Sequence, residues 1–218
     1  MIIRAIADLH GWFPKIEQCD LLLICGDVVD LSVQSSFHKG RKWFRNIFKP
    51  WAEKLPCNKV LFIAGNHDIC IYNHETFYQE LFPMKEKVTF LNNELYDYYG
   101  IRIFGTPYCK LFGNWAYTLS DDKLLEKYKD IPEYCDILMS HDAPYGTTDV
   151  CLEGWNREHL GNKPLRDIIL KKIPDYNIHG HLHSSQREYE YLGKTKVMNC
   201  SYVNEQYEPT WEPITIEL

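Results

Sequence analysis

Apolar runs of strand length punctuate the chain at Ile2–Ala7, Leu21–Cys25, Val60–Ala64, Ile101–Phe104, Ile137–Met139 and Tyr176–Ile178. Their apolar residues follow one another without alternation, which predicts strands buried on both faces. Helical patterns fill several of the gaps. Between Ser35 and about Lys54, the residues Phe44, Ile47, Phe48 and Trp51 recur at helical spacing, and Pro50 is expected to break or kink that helix. Asp121–Lys129 is charged and amphipathic with Ser120 placed as its N-cap, and Lys163–Lys172 carries Pro164 in its first turn. The last third changes to strands joined by turns: Gln186–Tyr191, Lys196–Cys200 and Pro213–Leu218, with Leu192-Gly193-Lys194 among the turns. No repeat, low-complexity tract or linker interrupts this order. It predicts one α/β domain over residues 1–218, built on more than one sheet.

Polar residues gather where the apolar runs stop. The first is followed by Asp8-Leu9-His10, the second by Gly26-Asp27-Val28-Val29-Asp30, and the third by Gly65-Asn66-His67-Asp68. Ser140-His141-Asp142 and His179-Gly180-His181-Leu182-His183 follow two more. A turn needs only a glycine and one polar neighbour. Five strand ends carrying histidine, carboxylate and amide oxygen are expected to converge, because open α/β sheets place their ligand sites there. In extended chain Asp8 and His10 would point to one side, as would His181 and His183. Such ligands, without cysteine, suit divalent manganese, iron or zinc.

Composition narrows the setting. A hydrophobic fraction of 45% and a charged fraction of 25% over 218 residues are those of an ordinary globular chain. A net charge of −6 weighs against bulk electrostatic binding of nucleic acid or an anionic membrane. No apolar stretch approaches a membrane span, and Asp8 comes too early for the apolar core of an export signal. The expected location is therefore cytoplasmic, with the eight cysteines as free thiols. The basic stretch 38–49 reads as a helix with Phe44, Ile47 and Phe48 in the core and its cations in water. The aromatic segment 107–117 reads either as core or as a rim that stacks on bases.

The ordered set DxH, GDxxD, GNHD, an isolated histidine and GHxH resembles the calcineurin-like metallophosphoesterase superfamily, from residue 8 to residue 183. The resemblance implies a four-layer α/β/β/α sandwich of two mixed β-sheets flanked by helices, with two divalent ions, manganese favoured, at the strand ends. It implies Asp8, His10 and His183 on one ion and Asn66, His141 and His181 on the other, with Asp27 bridging. His67 becomes the catalytic imidazole, with Asp68 beside it to hold it charged, and Asp30 an outer group. His179 is expected to support rather than ligate. Asp142 either hydrogen-bonds a ligating histidine or caps the next turn, and His159, in the HLG segment and outside every motif, is expected to lie away from the site rather than approach it.

Narrower segments, "IFGTPYCKLFGNWAY", "DILMSHDAPYGTTD", "HLGNKPLRD" and "NCSYVNEQYEPTWEPITIEL", resemble the superfamily's small phosphodiesterases, a group associated with cyclic nucleotides. The implied activity is hydrolysis of a small, nucleotide-like phosphodiester by in-line attack of a hydroxide shared by the two ions. A phosphomonoesterase or a nuclease would use the same residues, and a non-catalytic scaffold would be expected to have lost some of them. Nucleic acid is the weaker candidate partner, and no protein partner is implied.

Overall fold

Seven-residue apolar runs can only be buried on both faces if the sheet they form is covered twice, and that requirement organises the molecule. The structure, a computed structural model, describes residues 1–151, 158–185 and 188–217. Strand β1 (Ile2–Ile6) pairs in parallel with β2 (Cys19–Cys25), β2 with β3 (Cys57–Ile63), and β3 with β4 (Val88–Phe90). The second sheet takes β5 (Glu94–Tyr98), β6 (Ile101–Thr106), β9 (Ile137–Ser140), β10 (Tyr176–His179), β11 (Glu190–Leu192) and β12 (Thr195–Asn199). Between them in sequence, β7 (Cys109–Lys110) and β8 (Thr118–Leu119) form a separate pair. Strand β13 (Ile214–Glu217) returns to the first sheet, antiparallel to β1. The orders are β13-β1-β2-β3-β4 and β11-β12-β10-β9-β6-β5, both mixed.

Alternate residues of the same strands serve two different cores. Ile3, Leu21, Leu23, Leu61 and Ile63 pack with Ile103, Ile137, Met139 and Ile178, filling the space between the sheets. Leu22, Ile24, Val60, Phe62 and Leu138 belong to the other cluster, with Phe44, Phe48, Tyr78, Leu165 and Ile169 from the flanking helices. Two large mixed sheets flanked by helices result, as expected.

The helix before Pro50 shows how a proline is absorbed. Helix α1 (Phe37–Trp43) passes into a π-helical turn at Phe44–Phe48 and then into α2 (Lys49–Lys54). The Lys49 N–H donates to the Phe44 carbonyl five residues back, and Pro50, lacking an N–H, opens the next segment. The helix is therefore widened rather than broken. Phe44 and Phe48 are fully buried, whereas Ile47, expected in the core, is exposed. Arg41 and Arg45 stack on the Phe77 ring of α3 (Glu75–Leu81), so these cations pack on an aromatic instead of standing free in water.

Helix α4 (Asp121–Tyr128) starts after Ser120, whose side chain makes no capping bond. Helix α5 (Lys163–Lys172) is capped by Asn162, which accepts from the Leu165 N–H at 2.9 Å. Of the strand expected at Gln186–Tyr191, residues 186 and 187 lie outside the described ones, and the chain is extended only from Glu190. Among the described residues no helix is long and apolar enough to cross a membrane.

Candidate metal centre

Ala7 helps to join the two sheets at one end. Ala7 donates to the Cys200 carbonyl at 2.8 Å and accepts from the Tyr202 N–H at 2.9 Å, which ties the end of β1 to the segment after β12. The chain then turns sharply. Asp8 (φ 55°), His10 (φ 43°), Asp27 (φ 51°) and His181 (φ 71°) all occupy the left-handed region, which residues other than glycine enter at a cost of about 1–3 kcal/mol each. The extended-chain reasoning for Asp8 with His10 is thereby corrected, as it is for His181. Their side chains converge through left-handed turns beyond the strands.

Close approach depends on glycines at the same ends. A Cβ on Gly65 would lie 2.2 Å from Asp27 Oδ1, and one on Gly180 would lie 2.4 Å from the Ala7 methyl and 2.6 Å from Asp8 Oδ2.

Ligand atoms of Asp8, His10 and His183 lie within 4.8 Å of one another, and so do those of Asp8, Asp27 and His141. Asp8 is common to both groups. Asp27 Oδ2 faces His141 Nε2 at 3.3 Å and His10 Nε2 at 3.8 Å, one histidine from each expected set. His183 donates its Nδ1 proton to the Asn204 carbonyl at 3.1 Å and turns Nε2 toward Asp8 Oδ1 at 3.6 Å. His181 belongs to neither group. Its backbone N–H donates to Asp8 Oδ2 at 3.0 Å, and its ring stands 5.1 Å from that of His141.

Two features show that this cluster fits a cation. His141 spends its Nδ1 proton on the Cys25 carbonyl at 2.8 Å, so in the neutral ring Nε2 presents a lone pair to Asp27 Oδ2 and to Asn66 Oδ1 at 3.0 Å. Lone pairs aimed at one point repel unless a proton or a metal ion lies among them. His10 is plainer still: both its ring nitrogens are buried without a hydrogen-bond partner. Such orphaned groups are rare in a folded interior and costly unless something pairs with them.

The charges follow. Burial opposes ionisation of Asp8 and Asp27, yet the facing histidines (His183 for Asp8, His141 for Asp27) hold both carboxyls below the usual range. Burial likewise opposes charge on His141, but Asp27 overcomes it and raises this imidazole to about 10. His10 and His181, for which burial dominates, fall to about 4 and about 3. Without metal, one proton on His141 stands where a cation would.

His67 departs from expectation in its partner. Its Nδ1 lies 2.8 Å from Gln34 Oε1, and its Nε2 faces the Tyr207 hydroxyl at 3.5 Å. Asp68, expected to hold His67 charged, instead accepts from the backbone N–H groups of Gly65 (2.8 Å), Val28 (3.1 Å) and Val29 (2.9 Å). It fastens the turn after β3 to the turn after β2, and burial pushes it up to about 7. Burial lowers His67.

Asp142 neither bonds a ligating histidine nor caps its own turn. It accepts from the Lys110 N–H at 2.7 Å and from Asn162 Nδ2 at 3.0 Å. Asp30 accepts from Ser32, and His179 Nε2 pairs with Thr148 Oγ1 at 2.7 Å. His159 bonds Asp149, with Nδ1 at 2.6 Å from Oδ1. From the 107–117 segment, Trp115 packs on His67 at 4.3 Å and Phe112 on His181 at 5.1 Å, while Tyr117 is core. Tyr207 stands against His10 at 4.8 Å. Sequence reading missed Gln34 and Tyr207. Neither sits in a motif, and only "NEQYEPT" near the end hinted at the second.

Comparison with known proteins points to one family and one fold. The family model described as calcineurin-like phosphoesterase matches residues 2–185. The human metallophosphoesterase domain-containing protein 1 is 29% identical over 245 residues, covering 98% of this chain and 69% of that protein. A UPF0046 protein of Caenorhabditis elegans is 26% identical over 234 residues, with 94% of this chain but only 56% of the relative covered. The chain thus spans little more than half of that relative's length. Among solved structures, TT1561 of Thermus thermophilus superposes with a TM-score of 0.64 at 15% identity, covering 91% of this chain and 88% of that one. The phosphopantetheinyl hydrolase of Mycobacterium tuberculosis gives 0.55 at 13%, over 94% and 90%.

Proposed function

The chain belongs to the calcineurin-like phosphoesterase family, and on that premise we propose that it hydrolyses a small phosphodiester, nucleotide-like in kind, with two divalent ions. The observation that carries the metal reading is His10, buried with both ring nitrogens unpartnered beside Asp8 and Asp27. Asp8, His10 and His183 would hold one ion and Asn66, His141 and His181 the other, with Asp27 between them. Such ions acidify water and neutralise charge building on a phosphoryl group; manganese is the favoured occupant.

The chain's own contribution is orientation and proton delivery. Gln34 Oε1 accepts the Nδ1 proton of His67 and so leaves Nε2 as the nitrogen facing the site. As general acid the ring must carry a second proton, on Nε2. This imidazolium, made more acidic by burial, gives that proton to the departing oxygen, which leaves as an alcohol while the ring returns to its neutral Nδ1–H form. Trp115 and Tyr207 pack against the ring, which is buried from bulk water. The Asp8 and Asp27 carboxylates pair with histidines, and among the described residues no lysine or arginine forms an ion pair with them. The rings of Trp115, Phe112 and Tyr207 around the histidines offer stacking and apolar contact that suits a nucleotide-like diester.

Turnover of bis(4-nitrophenyl) phosphate, 4-nitrophenyl phosphate and cyclic nucleotides, each measured with Mn²⁺, Fe²⁺ and Zn²⁺, tests the reading. The diesters should be hydrolysed faster with every active metal. Preference for the monoester would replace phosphodiesterase by phosphomonoesterase, and activity that survives chelation would end the metal reading.

A further inference from the structure

At the end of the first sheet opposite the histidines, two cysteines face each other. Cys19 and Cys57 are register partners on the adjacent parallel strands β2 and β3. Neighbouring strands run about 4.7–4.9 Å apart, within the roughly 4.4–6.8 Å between Cα atoms that a disulfide spans. Register partners also present their side chains to the same face of a sheet. Both residues line an open cavity of about 450 Å³, together with Ile2, Gln18, Leu55 and Pro56. Their small residual exposures, 5% and 7%, contrast with Cys25 and Cys200, both at 0% in the apolar space between the sheets.

We propose that Cys19 and Cys57 form a reversible dithiol–disulfide site, oxidised by exchange with a low-molecular-weight disulfide that enters this cavity. The Cys19 thiolate attacks one sulfur of the incoming disulfide, forming a mixed disulfide and releasing one small thiol. Cys57 gives up its proton and attacks the Cys19 sulfur, which closes the Cys19–Cys57 bond and releases the second small thiol. The protein loses two electrons and two protons, and the small disulfide gains both. Cys19 is the attacking member because contact with Cys57, opposed by burial and aided by the Arg4 charge, holds its thiol below the ordinary value. Contact with Cys19 raises Cys57, burial adding to it, so Cys57 stays protonated until the mixed disulfide forms.

The new bond would close the loop that carries Asp27 and the helices α1 and α2, and should raise the thermal midpoint by several degrees. The test incubates the full chain with oxidised glutathione, followed by intact mass measurement and non-reducing peptide mapping. Expected is a loss of two hydrogen masses, reversed by reductant, with the Cys19 and Cys57 peptides linked. Cys57→Ser should instead retain one glutathione on Cys19, since nothing is left to displace it. Wild-type protein without a Cys19–Cys57 linked peptide, or with Cys25 joined to Cys200 in its place, would overturn the proposal. An unmodified Cys19 in folded Cys57→Ser would overturn it equally.

Discussion

The two ends of the first sheet are built by opposite rules. At the end where β1, β2 and β3 finish, buried histidines and carboxylates turn lone pairs on one another, and Asp8, His10 and Asp27 hold left-handed backbone. At the other end the one cation that is buried among the described residues is fully satisfied. Lys59, 5% exposed, donates to the Met84 carbonyl at 2.8 Å and to Thr89 Oγ1 at 2.7 Å, with the Glu86 carbonyl as a third acceptor. The same strands thus carry a region optimised for stability and a region that gives stability up. Strain and unpaired groups collect where a ligand can relieve them, and the apolar layers between the two ends bear the cost.

That contrast can be broken from either side. The largest expected effect is on catalysis: Asp27→Asn should lower turnover at least about 10²-fold. Its metal-free melting point should stay within a few degrees of wild type, since the asparagine oxygen can still accept from the His67 N–H, which Asp27 Oδ1 now meets at 2.7 Å. Turnover beside a thermal melt checks both halves. A variant that unfolds would show that the site end also holds the fold.

Phe62→Ala attacks the layers. Phe62 is fully buried and touches the rings of Phe44, Phe48, Phe82 and Phe90, so truncation should cost about 3–5 kcal/mol in denaturant unfolding. Next comes Lys59→Met, which leaves the two carbonyls and the Thr89 hydroxyl without their donor. A loss of about 2–3 kcal/mol is expected, with catalysis per folded molecule unchanged. Reduced turnover in the folded fraction would mean that the two ends are coupled.

The smallest effect sharpens the comparison at the site. Gln34→Ala removes one neutral hydrogen bond to His67, worth about 1 kcal/mol, so kcat should fall about fivefold while stability and metal content hold. A drop as large as that of His67→Ala would make Gln34 indispensable for setting the ring.

The sequence by itself determined where the strands run and which residues wait at their ends. Both signals are local: an apolar run is long enough to name a strand, and Gly65-Asn66-His67-Asp68 follows one directly. Weakly patterned elements escaped it, among them β4, β5 and α3, because β5 alternates half-buried and exposed residues at a sheet edge and α3 is only seven residues long. The π-helical turn before Pro50 was legible only as a disturbance.

Tertiary structure alone decided who meets whom. Gln34 reaches His67 across 33 residues of chain and Tyr207 across 140, and Asp68 turned out to tie two backbone turns together instead of steering its neighbour. It also decided backbone conformation: Asp8 and His10 look extended on paper but lie in left-handed turns. Cys19 and Cys57 became partners only through strand register. Periodicity reports which face of an element is buried, whereas pairing depends on contacts between segments distant in sequence, and those exist only after the sheets have packed.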